Sequence, residues 1–205
     1  MLYQEFYRSM FELACFTSHQ VYAWRPGFDK NNLGRWVRKG LLVKLRNGFY
    51  SFPEYLNESG FAFFIANHIY KPSYISLHTA LAFHGLIPES IVHITSVTTL
   101  KTTTIQNTFG TFSYKTIKPD MMFGYDYLPF SKGKTLLMAK PEKALLDLLY
   151  LYPFYNTEDE LKDLRLEEDF MQNRFNADLL HLYALQSGIT ALQKRVALLR
   201  SVYMP

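Results

Sequence analysis

Residues 28–52 read FDKNNLGRWVRKGLLVKLRNGFYSF, and this stretch decides the fold that the sequence predicts. Asp29 suits the N-cap of a helix, and Phe28 and Leu33 flank it as a hydrophobic staple does. Gly40 follows a basic last turn, where a glycine commonly ends a helix in the left-handed conformation. The stretch therefore predicts a short helix between Asp29 and Gly40.

The two sides of this predicted helix differ in chemistry. At about 100° per residue, Leu33, Trp36 and Val37 share an apolar side that can pack against other helices. The opposite, polar side carries Asn31, Asn32, Arg35, Arg38 and Lys39. Guanidinium, ammonium and carboxamide groups pair with phosphates and with guanine or adenine edges, so this side is predicted to contact the major groove of DNA. Gly34 in mid-helix predicts close approach of a neighbouring helix or backbone segment.

A β-hairpin is predicted directly after the helix, because Asn47-Gly48 is a strong two-residue turn signal between alternating apolar residues. The turn predicts three cross-strand pairs, namely Arg46 with Phe49, Leu45 with Tyr50, and Val43 with Phe52. Lys44 and Arg46 then lie on the polar face, where they and Asn47 at the turn are predicted to hold DNA. A hairpin in this position, with cations near its tip, is typical of the wing of a winged helix-turn-helix.

Two further helices are predicted upstream. Apolar residues recur with a helical period over residues 3–14. Thr17 and Gln20 fit a capping box that begins a second helix over residues 18–23. A Pro-Gly turn joins this helix to the third one, which gives a helix-turn-helix. Residues 1–56 are therefore predicted to be a winged helix-turn-helix DNA-binding domain.

The distribution of charge favours the same interpretation. Residues 1–56 carry eight Lys and Arg against four Asp and Glu, a balance of +4, which equals the net charge of the whole chain. Residues 57–205 carry fourteen of each and are neutral. A basic segment beside a neutral body is expected of a nucleic-acid-binding module, although a solvated basic face without a ligand gives the same balance.

Composition excludes several other classes of protein. Hydrophobic residues make up 48% of the 205 residues, which is too many for a disordered chain. No apolar stretch approaches the roughly 18 residues needed to cross a bilayer, and the start of the chain has no secretory leader. The one cysteine, Cys15, cannot form an internal disulfide or a thiolate metal cluster. These features predict a cytoplasmic protein without a membrane partner or a cofactor.

The remainder, residues 57–205, is predicted to be a mixed α+β domain with a mainly antiparallel sheet flanked by helices and a helical C-terminal end. Residues 53–60 are interpreted as a connector. Helices are predicted over residues 61–70, 76–84, 141–152, 157–169, 176–186 and 189–201. Strands are predicted over residues 91–98, 101–106, 111–118, 121–128 and 134–138.

Several stretches resemble the AbiEi-type family of abortive-infection antitoxins and transcriptional regulators. They are WVRKGLLVKLRNGFY over residues 36–50, PSYISLHTAL over 72–81, HGLIPE over 84–89, ITSVTT over 94–99 and AKPEKALLDLL over 139–149. The resemblance spans most of residues 10–150, and its most specific part is the PEKALLD block. Beyond that range the chain offers only generic helical patterns.

The resemblance implies a two-part regulator of a type IV toxin–antitoxin system. The winged helix would bind inverted repeats in its own promoter and repress the operon. The body would act against a nucleotidyltransferase-like toxin, without a requirement for tight binding between the two proteins. Palindromic operators call for two copies of the chain on the DNA, although the sequence itself leaves the oligomeric state open.

Two other interpretations remain open at the level of sequence. The winged helix could dock a protein partner, or the body could be a nuclease or nucleotidyl-transferring enzyme. Glu142 and Asp147 lie five residues apart and diverge on a helix, so we expect structural roles at its start and its exposed side. The histidines lack metal-ligand spacing, and the strand tyrosines Tyr114, Tyr125 and Tyr127 are more typical of core than of base-stacking residues. We therefore expect no catalytic and no metal site.

Overall fold

The computed structural model describes residues 2–89 and 92–204, with the exception of the Lys132 side chain. The fold is α+β and has two sheets within the described residues. The strands of one sheet lie in the N-terminal part of the chain, and the strands of the other lie in the body. Among the described residues the longest helix has 14 residues, and none is long and apolar enough to span a membrane.

The N-terminal part consists of three helices and a three-stranded antiparallel sheet. The helices are α1 (Leu2–Met10), α2 (Ser18–Trp24) and α3 (Asn31–Arg38), and the strands are β1 (Cys15–Thr17), β2 (Val43–Arg46) and β3 (Phe49–Ser51). The strand order is β1-β3-β2. A 3₁₀ turn over Phe11–Leu13 follows α1, so the helix predicted over residues 3–14 is shorter than expected and β1 was not predicted.

Local capping explains where α2 and α3 begin and end. The predicted capping box is present, because the Thr17 hydroxyl accepts a hydrogen bond from the Gln20 amide while the Gln20 side chain accepts from the Thr17 amide. The N-cap position of α3 is Lys30, not Asp29 as predicted, yet the Asp29 carboxylate accepts from the Asn31 amide at 2.9 Å. Gly40 has φ +69° after α3, as predicted.

The register of the hairpin differs from the prediction. Arg46 pairs with Phe49 as predicted, but Lys44 pairs with Tyr50 and Val43 with Ser51, because a bulge lies between Lys44 and Arg46. A bulge adds one residue to a strand, so residues on either side of it no longer follow the simple alternation of faces. The predicted pairs of Leu45 with Tyr50 and Val43 with Phe52 are therefore wrong.

An aromatic cluster holds the N-terminal helices on their sheet. Phe6 is fully buried at its centre, and its ring lies 4.6 Å from Trp36 of α3 and 5.5 Å from Phe16 of β1. Phe28 and Phe52 also contact it. Trp36 and Leu33 are buried as the apolar side of α3 predicts, so the polar side of that helix faces outward.

The body begins without a loose linker. Pro53–Asn57 form a 3₁₀ helix in the predicted connector, and the buried Tyr55 stacks on Phe61 at 4.7 Å. Tyr55 also donates a hydrogen bond to the Phe11 carbonyl, which ties the segment back to the N-terminal part. The proposed boundary between residues 56 and 57 is thus crossed by packed side chains.

The body contains a six-stranded sheet. Its strands are β4 (Ser73–Ile75), β5 (Ile94–Thr98), β6 (Thr103–Asn107), β7 (Gly110–Thr116), β8 (Tyr125–Pro129) and β9 (Thr135–Ala139), in the order β6-β7-β5-β4-β9-β8. The pairs β5–β7 and β4–β9 are parallel and the other three are antiparallel, so the sheet is mixed. Five strands were predicted, the first over residues 91–98, of which residue 91 lies outside the described residues, and β4 was missed.

Within the described residues, the body also contains seven helices. They are α4 (Phe61–Ile69), α5 (Leu77–His84), α6 (Pro141–Leu151), α7 (Glu158–Lys162), α8 (Glu168–Asn173), α9 (Ala177–Gln186) and α10 (Thr190–Tyr203). The single helix predicted over residues 157–169 is divided into α7 and α8, with Arg165 at φ +47° between them. The other predicted helices are present.

Helix α6 is buried around its whole circumference, and this corrects the prediction for Asp147. That carboxylate is fully buried and ion-paired with the equally buried Lys143, and it accepts hydrogen bonds from Ser76 at 2.7 Å and Tyr74 at 2.9 Å. Burial raises the pKa of Asp147, and these three partners oppose the shift. The side of α6 that was expected to be exposed is covered by β4 and the start of α5 instead.

Candidate nucleic-acid interface

A concave surface of about 880 Å³ lies between α2, α3 and the β2–β3 hairpin. It is lined by Ser18, Tyr22, Lys30, Asn31, Leu33, Gly34, Arg35, Val37, Arg38, Lys44, Gly48 and Tyr50. The Ser18 amide donates to the Gly48 carbonyl at 2.9 Å, which joins the start of α2 to the hairpin turn. The Leu41 amide donates to the Trp36 carbonyl at 2.9 Å and so fixes the hairpin to the end of α3. The walls of the concave surface are therefore connected by backbone hydrogen bonds.

One face of α3 forms the floor of the concave surface. Asn31, Gly34, Arg35 and Arg38 stand at positions i, i+3, i+4 and i+7, which is the spacing of residues on one side of an α-helix. Asn31, Arg35 and Arg38 are exposed. Three of the five polar residues predicted on α3 are thus brought together on one open face.

The other two predicted polar residues of this segment lie elsewhere. Asn32 is half-buried and Lys39 is exposed at the C-cap of α3, and neither lines the concave surface. Asn47 is exposed at the hairpin turn, also outside the lining. The structure keeps Lys39 and Asn47 accessible without bringing them to the same surface as Arg38.

Arg35 is already engaged by a carboxylate. Its guanidinium forms an ion pair with Asp29 at 2.7 Å, and both side chains are about half exposed. Because Asp29 also accepts from the Asn31 amide, one carboxylate fixes the start of α3 and neutralises part of the charge on its outer face. An exposed ion pair of this kind contributes little to stability, about 0–1 kcal/mol, so it can be exchanged for another anion.

Three further cations line the concave surface. Lys30, Arg38 and Lys44 are exposed, and among the described residues none of them has an ion-pair partner. Lys44 occupies the position predicted for it on the hairpin. Lys30 was not predicted as a site residue, although it directly precedes Asn31 in the sequence. The structure places it at the N-cap of α3.

Arg46 has a structural role that was not predicted. It donates a hydrogen bond to the Ile69 carbonyl at 2.6 Å, at the end of α4, and its guanidinium lies 5.1 Å from the Phe49 ring and 5.6 Å from the Tyr70 ring. The bulge before Arg46 directs its side chain toward the body while Lys44 faces the concave surface. Arg46 therefore clamps the hairpin to the body, and its role as a DNA contact stays a prediction.

Two tyrosines complete the lining and were not predicted as site residues. Tyr22 on α2 is exposed, and Tyr50 on β3 is half-buried. Burial, with a contribution from the neighbouring Tyr22, raises the pKa of Tyr50, so its hydroxyl stays protonated at neutral pH and can donate a hydrogen bond. From the sequence alone, Tyr50 was expected only as the cross-strand partner of Leu45.

The explanation predicted for Gly34 is also wrong. A Cβ atom added at Gly34 would meet nothing within 4 Å, so no neighbouring helix or backbone approaches it. Gly34 is exposed at the middle of the α3 face that lines the concave surface.

The residues weighed as enzyme candidates have structural surroundings. Glu142 accepts a hydrogen bond from the Asn176 amide at 2.9 Å, and His84 donates to the Ala139 carbonyl at 2.8 Å. Tyr114 is fully buried and Tyr125 stacks on Tyr74, whereas Tyr127 is exposed. Within residues 2–89 and 92–204, no group of three or more His, Cys, Asp or Glu side chains is placed to hold a metal ion.

Comparison of the chain with the models of known protein families and with curated proteins finds no match.

Proposed function

We propose that residues 2–52 form a winged helix-turn-helix and that the chain is a sequence-specific transcriptional repressor that binds double-stranded DNA. The observation that carries the proposal is the concave surface, where Lys30, Arg38 and Lys44 are exposed and no carboxylate is among the lining residues. An open cationic concavity with a helix as its floor fits a polyanion that presents a groove.

The dimensions of the partner support this assignment. An α-helix with its side chains is about 10–12 Å wide, and the major groove of B-DNA is about 12 Å wide. With α3 in the groove, Asn31 and Arg38 project toward base edges, where carboxamide and guanidinium groups can form paired hydrogen bonds. Lys30 and Lys44 border the same surface and would meet phosphates on either side of the groove.

The test measures binding of the full chain to two duplexes by fluorescence anisotropy over a range of salt concentrations. One duplex is DNA from upstream of the chain's own coding sequence, and the other has the same composition in scrambled order. Arg38→Ala is expected to weaken binding to the upstream duplex about tenfold and to affect the scrambled duplex less. Lys44→Ala is expected to weaken both equally and to lower the salt slope by about one unit.

Lys118→Ala serves as the matched control, because Lys118 is an exposed cation of the body and does not line the concave surface. It should bind both duplexes as the wild type does. Equal losses on both duplexes for Arg38→Ala and Lys44→Ala would contradict the assignment of Arg38 as a base reader. No detectable binding of any duplex at low salt would contradict DNA binding altogether and would favour a protein-docking module.

We further propose, on the sequence resemblance alone, that the repressor is the autoregulating antitoxin of a type IV system. It would bind inverted repeats in its own promoter, where palindromic half-sites spaced by whole helical turns call for two copies. The body would counteract a nucleotidyltransferase-like toxin. Expression of a nucleotidyltransferase-like product from the adjoining gene should arrest growth, and the full chain should relieve the arrest. Failure of the full chain to relieve the arrest, or an adjoining gene of another kind, would contradict the antitoxin proposal.

A further inference from the structure

Gly34 differs from every other glycine of the chain. Of the ten glycines, nine have a positive φ, which favours glycine over residues with a side chain. Gly34 alone lies inside a helix with ordinary helical backbone geometry. Backbone conformation therefore accounts for the other nine glycines and not for Gly34.

Packing does not account for Gly34 either. An added Cβ would have nothing within 4 Å, so an alanine fits here without any adjustment of the fold. Glycine in a helix interior is destabilising relative to alanine, because it loses more conformational freedom when the helix forms. The folded chain on its own thus gives no reason for glycine at this position.

The position of Gly34 suggests what would use the space. It lies between Asn31 and Arg38 on the face of α3 that forms the floor of the concave surface. Because Gly34 has no side chain, the centre of this face is recessed. The α3 backbone is therefore exposed between the side chains of Asn31 and Arg38, which can form hydrogen bonds with base edges. Asn31 has a short side chain, so it reaches a base edge only if the helix backbone comes close to the groove floor.

We propose that Gly34 is the point where the α3 backbone makes its closest approach to base edges in the major groove of double-stranded DNA. This inference rests on the DNA-binding function proposed above and adds a specificity determinant to it. Base edges are favoured over phosphates, because Gly34 lies in the middle of the face while the cations Lys30 and Lys44 stand at the borders of the surface. A methyl group at this position would hold the helix away from the groove floor and weaken sequence-specific contacts.

The test compares Gly34→Ala with the wild type in two measurements on the full chain. The first is thermal unfolding, where Gly34→Ala is expected to raise Tm by about 2–4 °C, because alanine favours the helix and meets no neighbour. The second is anisotropy with a duplex selected by the wild type from a random library and with a scrambled duplex. Affinity for the selected duplex should fall about tenfold or more, and affinity for the scrambled duplex should stay unchanged.

Ala23→Leu is the matched control, because Ala23 is exposed on α2 and does not line the concave surface. It should bind the selected duplex as the wild type does. If Gly34→Ala binds the selected duplex as tightly as the wild type, the inference about Gly34 falls and the proposed function stands. Equal losses on both duplexes, or a lowered Tm, would also overturn it, because the glycine would then serve a phosphate contact or the fold. A wild type that binds no duplex would overturn both proposals.

Discussion

Replacing Arg46 by methionine separates the structural role of this residue from the role that its charge alone suggests. The substitution keeps the aliphatic stem and removes the guanidinium, which donates to the Ile69 carbonyl at 2.6 Å and lies 5.1 Å from the Phe49 ring and 5.6 Å from the Tyr70 ring. A hydrogen bond from a charged donor contributes about 1.5–3 kcal/mol, and each cation–π contact adds about 0.5–1 kcal/mol. The carbonyl belongs to the last residue of α4, so the cation also faces the negative end of the helix dipole. The expected loss is therefore about 3 kcal/mol in the free energy of unfolding.

Lys44→Met is the matched control, since Lys44 lies two residues away on the same strand and is exposed. Urea unfolding at pH 7 should give a free energy within about 0.5 kcal/mol of the wild type for Lys44→Met, because its side chain has no partner to lose. The dependence of duplex affinity on salt should show the opposite pattern, with the slope lowered by about one unit for Lys44→Met and unchanged for folded Arg46→Met. A wild-type unfolding energy together with a lowered salt slope for Arg46→Met would refute the clamp and restore Arg46 as a phosphate contact.

Three further perturbations test charges at other places in the fold. Burial lowers the pKa of His68 from 6.5 to about 4, so the unfolded chain takes up the proton first and the free energy of unfolding should fall by about 3 kcal/mol between pH 6.5 and pH 4. His68→Asn should flatten this part of the pH dependence in urea unfolding. Lys143→Met or Asp147→Leu alone should lower the free energy of unfolding by about 3–5 kcal/mol in the same assay, because each single variant leaves a buried charge without its partner. The double variant should lose less than the sum of the two. Single losses below about 1 kcal/mol would contradict this. Asp29→Asn can still cap the Asn31 amide but releases the guanidinium of Arg35. Affinity for any duplex should therefore rise, and the salt slope should steepen by about one unit. An unchanged slope would contradict a contact between Arg35 and DNA.

The parts of the fold that could be predicted from the sequence are those set by residues close together in the chain. Thr17 and Gln20 form the whole capping box of α2, and Gly40 adopts the positive φ that ends α3. Pro141 begins α6 as its missing amide and fixed φ predict. The exposed face of α3 was predicted for the same reason, because burial of Trp36 determines which side of a short helix points outward.

The short strands β1 and β4 could not be predicted, because their pairing partners lie far away in the sequence. Strand β1 has three residues and forms because they pair with β3, from Cys15 opposite Ser51 to Thr17 opposite Phe49. Strand β4 likewise joins two distant strands, with Ile75 opposite both Ser96 and Met138. Three residues carry too little periodicity to distinguish a strand from a loop.

Charged residues were misassigned where tertiary contacts reverse the usual preference for solvent. Asp147 was expected on an exposed side of α6, since carboxylates are rarely buried unless they are paired. The pairing that allows its burial comes from Lys143 on the same helix and from Ser76 and Tyr74, about seventy residues earlier in the chain. Spacing on the helix gave no sign of the last two partners.

The bulge in β2 has a consequence for the proposed interface as a whole. Without it, Lys44 and Arg46 would lie on one face of the strand, and the hairpin would lose the contact of Arg46 with the end of α4. With it, one strand presents Lys44 to the concave surface and Arg46 to the end of α4, and the Asn107 side chain of the body also donates to the Leu45 carbonyl at 3.1 Å. The position of the hairpin relative to α3 therefore depends on contacts with the body as well as on the backbone hydrogen bonds that join it to α2 and α3. If the concave surface binds a groove and its flanking phosphates as proposed, this distance must be held constant, and the body then contributes to DNA recognition through Arg46 and Asn107 without touching the duplex.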